Sequence, residues 1–220
     1  MADRWVCRSE PEPGRGRLYW HILFRDHPQV QELAAAGQRR LSRFAGLHFT
    51  PRQWLHMTTL VAGFADEISA AEMGDMLARA RDLLSAVGPV TVSFGKVLYH
   101  PQAVMLGVRP DGVLDPVLDA VRAATRLATG SEGTVEHLPW TPHLTLAYST
   151  SVQPARPIIA ALGRELPARE ATIDRISLVS QVGPERLWNW RRIAEVSFGA
   201  APRRMGDAKG TPGSRRGTRG

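Results

Sequence analysis

Two short words in the sequence carry residue types suited to proton-transfer chemistry. They are His56-Met57-Thr58-Thr59-Leu60 and His143-Leu144-Thr145-Leu146, each a His-x-Thr-x pattern inside an apolar run. An imidazole with an ordinary pKa near 6.5 can take up or release a proton at neutral pH. A threonine hydroxyl can donate a hydrogen bond to an oxyanion. In a strand, residues two apart point to the same face. His56 therefore projects with Thr58, and His143 with Thr145. Met57, Thr59, Leu144 and Leu146 project to the opposite faces. A lone strand histidine is usually a hydrogen-bonded structural residue, so one copy would carry little. Two copies in similar surroundings carry far more.

The surroundings do match. Leu18–Phe24 (LYWHILF) reads as an aromatic-rich strand. Pro28–Phe44 has helical apolar spacing and stops at Gly46. Trp54–Val61 is the first histidine strand. Ser69 and Glu72 then form a capping box for a helix that runs to Val87. Strands Val90–Leu98 and Ala103–Val108 follow. A second round begins with a helix over Val113–Ala128 and continues with the second histidine strand, Trp140–Tyr148. A short helix over Pro157–Leu166 and strands Ala171–Val179 and Leu187–Phe198 complete it. Each histidine strand is thus followed by helix, strand, strand. That order predicts an internal duplication and an α+β fold of two similar lobes rather than a doubly wound sheet. Pseudo-twofold symmetry would set the two His-Thr pairs opposite each other across a cleft.

The 220 residues suffice for one large domain or two small lobes with a real core. With 43% hydrophobic and 22% charged residues, the composition excludes a wholly disordered chain, a collagen and a coiled coil. No apolar run reaches the roughly 18 residues of a membrane helix. No secretory signal is evident at the N-terminus, so a cytoplasmic protein is expected. The single cysteine, Cys7, allows neither an internal disulfide nor a cysteine-rich zinc site. Neither His-x-His nor His-Glu-x-x-His occurs, and no Gly-rich phosphate loop is present. No metal and no cofactor are expected. The net charge of +7 is unevenly spread: Ala200–Gly220 holds +5 and residues 1–17 hold +1, leaving +1 for the body. A strongly basic groove is therefore not implied by the high pI. Residues 1–16 and 200–220, rich in Gly, Pro and Arg, are expected to be flexible. The folded domain is expected over 17–199.

With HMTTL, PHLTLAY and this order of elements, the chain resembles the two-histidine (2H) phosphoesterase superfamily. The resemblance is to the bacterial proteins called 2′-5′ RNA ligase or RNA 2′,3′-cyclic phosphodiesterase, and it covers about Leu18 to Phe198. It implies a bilobal fold with two antiparallel-rich sheets and outer helices around a central cleft. It also implies a metal-independent phosphodiesterase, with RNA ends or nucleotides as the expected partners and a monomer as the expected state. On the family pattern His56 and His143 are the catalytic pair, and Thr58 and Thr145 hold the phosphate. The alternatives are a nucleotide- or RNA-binding module without catalysis, or the same chemistry on a non-RNA cyclic phosphate.

Further contacts are expected around these four. In LYWHILF, Tyr19 and His21 face away from the core side formed by Leu18, Trp20, Ile22 and Phe24. They are candidates for the cleft, with a structural role for His21 as the alternative. Trp140 precedes His143 by three residues and could stack on a base or pack in the core. Arg191, sharing a face with Asn189, is the candidate cation for substrate phosphate. His27, His48, His100 and His137 fall near element ends and are expected at the surface.

Overall fold

A computed structural model of the protein describes residues 1–7, 15–135 and 139–200. A single turn of helix, α1 (Arg4–Cys7), precedes strand β1 (Gly16–Leu23). Helix α2 (Pro28–Leu41) starts on a proline, whose missing N–H is no loss in the first turn. It buries Val30, Leu33, Ala34 and Leu41 along one face. The short strand β2 (Leu47–Phe49) and a 3₁₀ turn at Arg52–Trp54 lead into β3 (His56–Phe64). Helix α3 (Ala70–Leu84) carries the expected capping box: Ser69 Oγ accepts from the Glu72 amide, and the Glu72 carboxylate accepts from the Ser69 amide. Strands β4 (Val90–His100) and β5 (Ala103–Arg109) form a hairpin. Helix α4 (Asp115–Thr129) ends where Gly130 adopts φ 76°, a conformation that favours glycine. Then come β6 (His143–Ser149), α5 (Ala155–Leu162), β7 (Glu165–Ile173), β8 (Arg175–Val182) and β9 (Arg191–Ser197).

The strands make two antiparallel sheets, ordered β3-β1-β8-β9 and β2-β6-β5-β4-β7. Helices α3 and α4 pack on the first sheet, α2 packs on the second, and α5 packs against α2. These are the two expected lobes of an α+β fold. The chain reaches them by exchange, however. After β3 in the first sheet, the first repeat sends β4 and β5 to the second. The second repeat leaves β6 and β7 in the second sheet and returns β8 and β9 to the first. The edge strand of the first sheet therefore comes from the C-terminus, in the place β7 holds in the second.

Inward-pointing side chains follow strand alternation. On β1, Leu18, Trp20 and Ile22 are at most 1% exposed on the helix side. There Trp20 Nε1–H donates to Thr125 Oγ1 of α4 at 3.2 Å. On β3, Met57 and Thr59 take the same side.

Four expectations change. The strand expected over 171–179 is the end of β7 and the start of β8, which belong to different sheets and meet at Asp174. Both ends are rich in β-branched residues, so composition does not mark the corner. The strand expected from Leu187 begins only at Arg191, because Glu185–Leu187 forms a 3₁₀ turn and Trp188 has φ 51°. Strand β2 was not expected; three residues give no alternation to read. Residues 1–7 pack on the body rather than forming a loose end. The Ala2 amide donates to Pro101 O at 2.7 Å, Arg4 is 6% exposed, and the Trp5 ring lies 5.5 Å from that of Tyr148. Large side chains at positions 4 and 5 supply the burial, whereas the prolines and glycines that suggested flexibility lie beyond residue 10. The tail over 201–220 and His137 lie outside the described residues. Among those described, no helix is long and apolar enough to cross a membrane.

Candidate active site

The two His-x-Thr strands come from different sheets and lie against each other: β3 at the edge of one, β6 inside the other. Both histidines start their strands, and both are held in the same way. His56 Nδ1–H donates to the Trp54 carbonyl at 2.7 Å, and His143 Nδ1–H donates to the Thr141 carbonyl at 2.8 Å. A carbonyl only accepts, so Nδ1 carries the hydrogen in each ring. In the neutral ring Nε2 then carries the lone pair. The local sequence explains the arrangement. A turn ending at Trp54 leads into β3, and buried Pro142 fixes the start of β6, so the carbonyl two residues upstream points back along each strand.

Around His56 the walls are aromatic. His21 lies directly beside it, ring centroids 4.4 Å apart, and Tyr19 stacks on His21 at 5.1 Å. Trp188 and Trp190 meet the His56 ring at 6.2 and 6.0 Å. The free space here is small, about 30 Å³. Tyr19 Oη–H donates to Glu185 Oε1 at 2.9 Å, and Arg4 pairs with the same carboxylate at 3.6 Å. His21 is 3% exposed. Burial, and then the charge His56 can carry, hold its proton affinity well below the ordinary imidazole value, so His21 is neutral.

Around His143 the site is roomier, about 180 Å³, between Tyr99, His100, Met105 and Trp140. Thr58 lines this space and the one beside His56, linking the two halves. Trp140 Nε1–H donates to the Thr58 carbonyl at 3.3 Å, so this ring ties the start of β6 to β3. Thr145 is deeper, 7% exposed. Among the described residues no three His, Cys, Asp or Glu side chains come together as a metal site would need.

Thus Tyr19, His21, His56, Thr58, Trp140 and His143 line one composite site with Thr145 beneath it. Arg191 does not join them. It is exposed at the start of β9, while the neighbouring Trp190 turns toward His56. Alternation along 188–191 was read correctly, but the tryptophans take the inner side. Trp188, Trp190, Tyr148 and His100 were missed. His48 and His100 are not bland surface residues: Trp188 Nε1–H donates to His48 Nε2 at 3.2 Å, and His100 stands beside His143. The clustering of tryptophans at 188 and 190 was the available signal.

Comparisons with known proteins bear on the fold and the family. The family model described as the 2′-5′ RNA ligase superfamily matches residues 25–185. No curated protein matches the sequence. Among solved structures, TT0787 of Thermus thermophilus superposes with a TM-score of 0.64 at 19% identity, covering 84% of this chain and 98% of that one. LigT of E. coli in apo form gives 0.59 at 14% identity, over 84% and 99%. LigT is also known in complex with ATP, with 3′-AMP and with phosphate. The PDE domain of MHV ns2 gives 0.57 at 12% identity, over 76% and 99%. Identities this low speak for the fold, whereas the family match spans most of the chain and takes in both His-x-Thr strands. The chain therefore belongs to the 2′-5′ RNA ligase superfamily, the two-histidine phosphoesterases.

Proposed function

We propose that the protein is a metal-independent phosphodiesterase that opens a 2′,3′-cyclic phosphate on a nucleotide or an RNA end, leaving a 2′-phosphate. The observation that carries this reading is the identical hold on His56 and His143, on strands that meet from two sheets. Each ring keeps its hydrogen on Nδ1 and offers Nε2. In the neutral ring Nε2 is a base, and in the protonated ring it is an acid.

The reaction needs one of each. One Nε2 takes a proton from water as the water oxygen bonds to phosphorus. The P–O3′ bond breaks on the opposite side, and the other Nε2–H gives its proton to O3′. The 2′-oxygen stays on phosphorus. Each proton transfer contributes roughly 10²–10⁴-fold. Thr58 and Thr145 hydroxyls donate to the non-bridging oxygens, where negative charge must be held. With a 5′-hydroxyl in place of water, the same displacement breaks P–O3′ and forms a 2′-5′ linkage, so a 2′-5′ ligation uses the same groups.

A body charge of only +1 favours a nucleotide or short RNA end over a long polyanion. The nucleotide complexes of LigT support the same substrate class. The test is incubation with 2′,3′-cyclic nucleotides and with an RNA oligomer ending in a cyclic phosphate, both in EDTA, with products identified by phosphorus NMR. A 2′-monophosphate product is expected. No turnover of either, with turnover of another phosphoester, would keep the fold and replace the substrate. Tight mononucleotide binding without turnover would favour a binding module.

A further inference from the structure

Residues 1–7 precede the family match, which begins at residue 25, so no family pattern assigns them a role. They are nonetheless tied to the body along their length. The Met1 ammonium donates to the Gln153 carbonyl, the Gln153 amide donates to Met1 O at 3.1 Å, and the Ala2 amide donates to Pro101 O at 2.7 Å. Asp3 Oδ1 accepts from the Trp5 amide at 2.8 Å and begins the turn of α1. That turn lays Trp5 beside His48 and Tyr148, ring centroids 6.1 and 5.5 Å away. It also brings the Arg4 guanidinium over the Tyr148 ring, 4.3 Å from its centroid. Tyr148 lines the space beside His56. An arginine from outside the family-matched residues is thus buried behind a wall of the candidate site.

The charges around the site give this placement a consequence. The described residues that line the spaces beside His56 and His143 include Glu185, but no other acid and no lysine or arginine. A carboxylate there faces the anion the site is proposed to hold, and like charges repel. Glu185 also has a structural task. It accepts from Tyr19 Oη–H at 2.9 Å and opens the 3₁₀ turn that precedes Trp188 and Trp190. Arg4 pairs with the same carboxylate at 3.6 Å, and the two side chains are only 8% and 20% exposed. Salt screens so enclosed a pair weakly.

We infer that Arg4 is a positioning residue that sets the charge of the site. By neutralising Glu185 it lets an acidic side chain hold Tyr19 and the turn before Trp188 in a site that receives a phosphate anion. This rests on the proposed phosphodiesterase reading only in taking the bound group to be an anion.

Two quantities test it: the Kd of 3′-AMP by calorimetry, and KM and kcat on adenosine 2′,3′-cyclic phosphate. The proteins are wild type, Arg4→Gln, Glu185→Gln and the double variant. Glutamine keeps most of either stem, and at position 185 its amide oxygen can still accept from Tyr19. Arg4→Gln should raise Kd and KM about fivefold or more, the scale of one charge pair in a water-like dielectric. Glu185→Gln should lower them by a similar factor. The double variant should return to within about twofold of wild type, and kcat should move little throughout. Damage to packing alone would weaken binding in every variant, most of all in the double one. That pattern, or values unchanged in Arg4→Gln, would overturn the role of Arg4; with wild-type turnover intact, the phosphodiesterase reading would stand. The expected order of 3′-AMP affinities without turnover would instead overturn the phosphodiesterase reading and keep Arg4. A wild type that neither binds 3′-AMP nor turns over the cyclic nucleotide would overturn both. If Arg4→Gln loses its thermal transition, Glu185→Gln decides alone: tighter binding is expected, and unchanged or weaker binding overturns the inference.

Discussion

The His56 and His143 halves of the site use one device in two different settings. Both rings are fixed through Nδ1 to the carbonyl two residues upstream. Their cross-strand partners differ. Opposite His56 and Thr58 stand Leu23 and His21; opposite His143 and Thr145 stand Gly107 and Met105. His56 is thereby enclosed by rings, while His143 faces more open space. On the proposed mechanism the duplication supplies the proton chemistry twice, and the partner strands make the halves unequal. Substrate recognition can then be one-sided although the chemistry is symmetric.

The largest expected effect tests the symmetric part. His56→Ala and His143→Ala should each lower kcat on a cyclic nucleotide by a hundredfold or more. The double variant should be little worse than either, because both rings serve one transition state. Thermal melting should be nearly unchanged, since neither ring is in the core. Retention of more than about a tenth of the rate by either variant would break the equivalence of the halves.

Much of this symmetry was legible in the sequence. Strand periodicity alone puts His56 with Thr58 and Tyr19 with His21, and the structure keeps those faces. The exchange of strands between the sheets was not legible, since pairing partners are set by tertiary packing. Nor was the inward turn of Trp188 and Trp190. It depends on a left-handed φ at Trp188, which a strand pattern does not anticipate for a bulky residue. The misplacement of Arg191 is one of side and not of phase: Trp188 and Trp190 take the face that lines the site, and Asn189 and Arg191 are left exposed.

A loss of about tenfold to hundredfold is expected for Thr58→Val and for Thr145→Val, each removing one proposed donor to the phosphate oxygens. Thr58 faces both spaces and Thr145 sits deeper. The loss at Thr58 should therefore be the larger, measured as kcat under saturating substrate. Equal losses would make the donors as symmetric as the histidines.

A smaller effect concerns His21, whose counterpart across β6 is Met105. Burial lowers the proton affinity of His21 in the fold, so below about pH 6.5 the unfolded chain binds the proton first. Stability is full above that pH and is lost as pH falls below it, by up to about 1.4 kcal/mol per pH unit. His21→Met should flatten this dependence, read as Tm between pH 7 and pH 5. Some slope should remain, because burial shifts His27 in the same direction against the opposing pull of Asp174 and Asp26. An unchanged slope would show that His21 does not titrate on unfolding.

The smallest effect is expected at the C-terminus, which follows the edge strand on the His56 side. The last anchored residues are Phe198, 8% exposed, and Gly199, whose amide donates to the carbonyls of Leu84 and Val87 at 3.0 and 2.9 Å. A Cβ on Gly199 would stand 1.9 Å from the Ser85 carbonyl oxygen, so only glycine makes this approach. Deleting 201–220 spares all of it, and Tm and turnover of a cyclic mononucleotide should stay unchanged. Deleting from Phe198 onward should lower Tm clearly, because a buried aromatic ring and the cap on α3 are lost. The shorter deletion still removes six basic residues and one acid. With a long RNA it should weaken binding at low salt and reduce the slope of log K against log salt. With a mononucleotide neither should change. A fall in Tm on removing 201–220 would mean that the tail packs and that the domain boundary lies beyond Gly199.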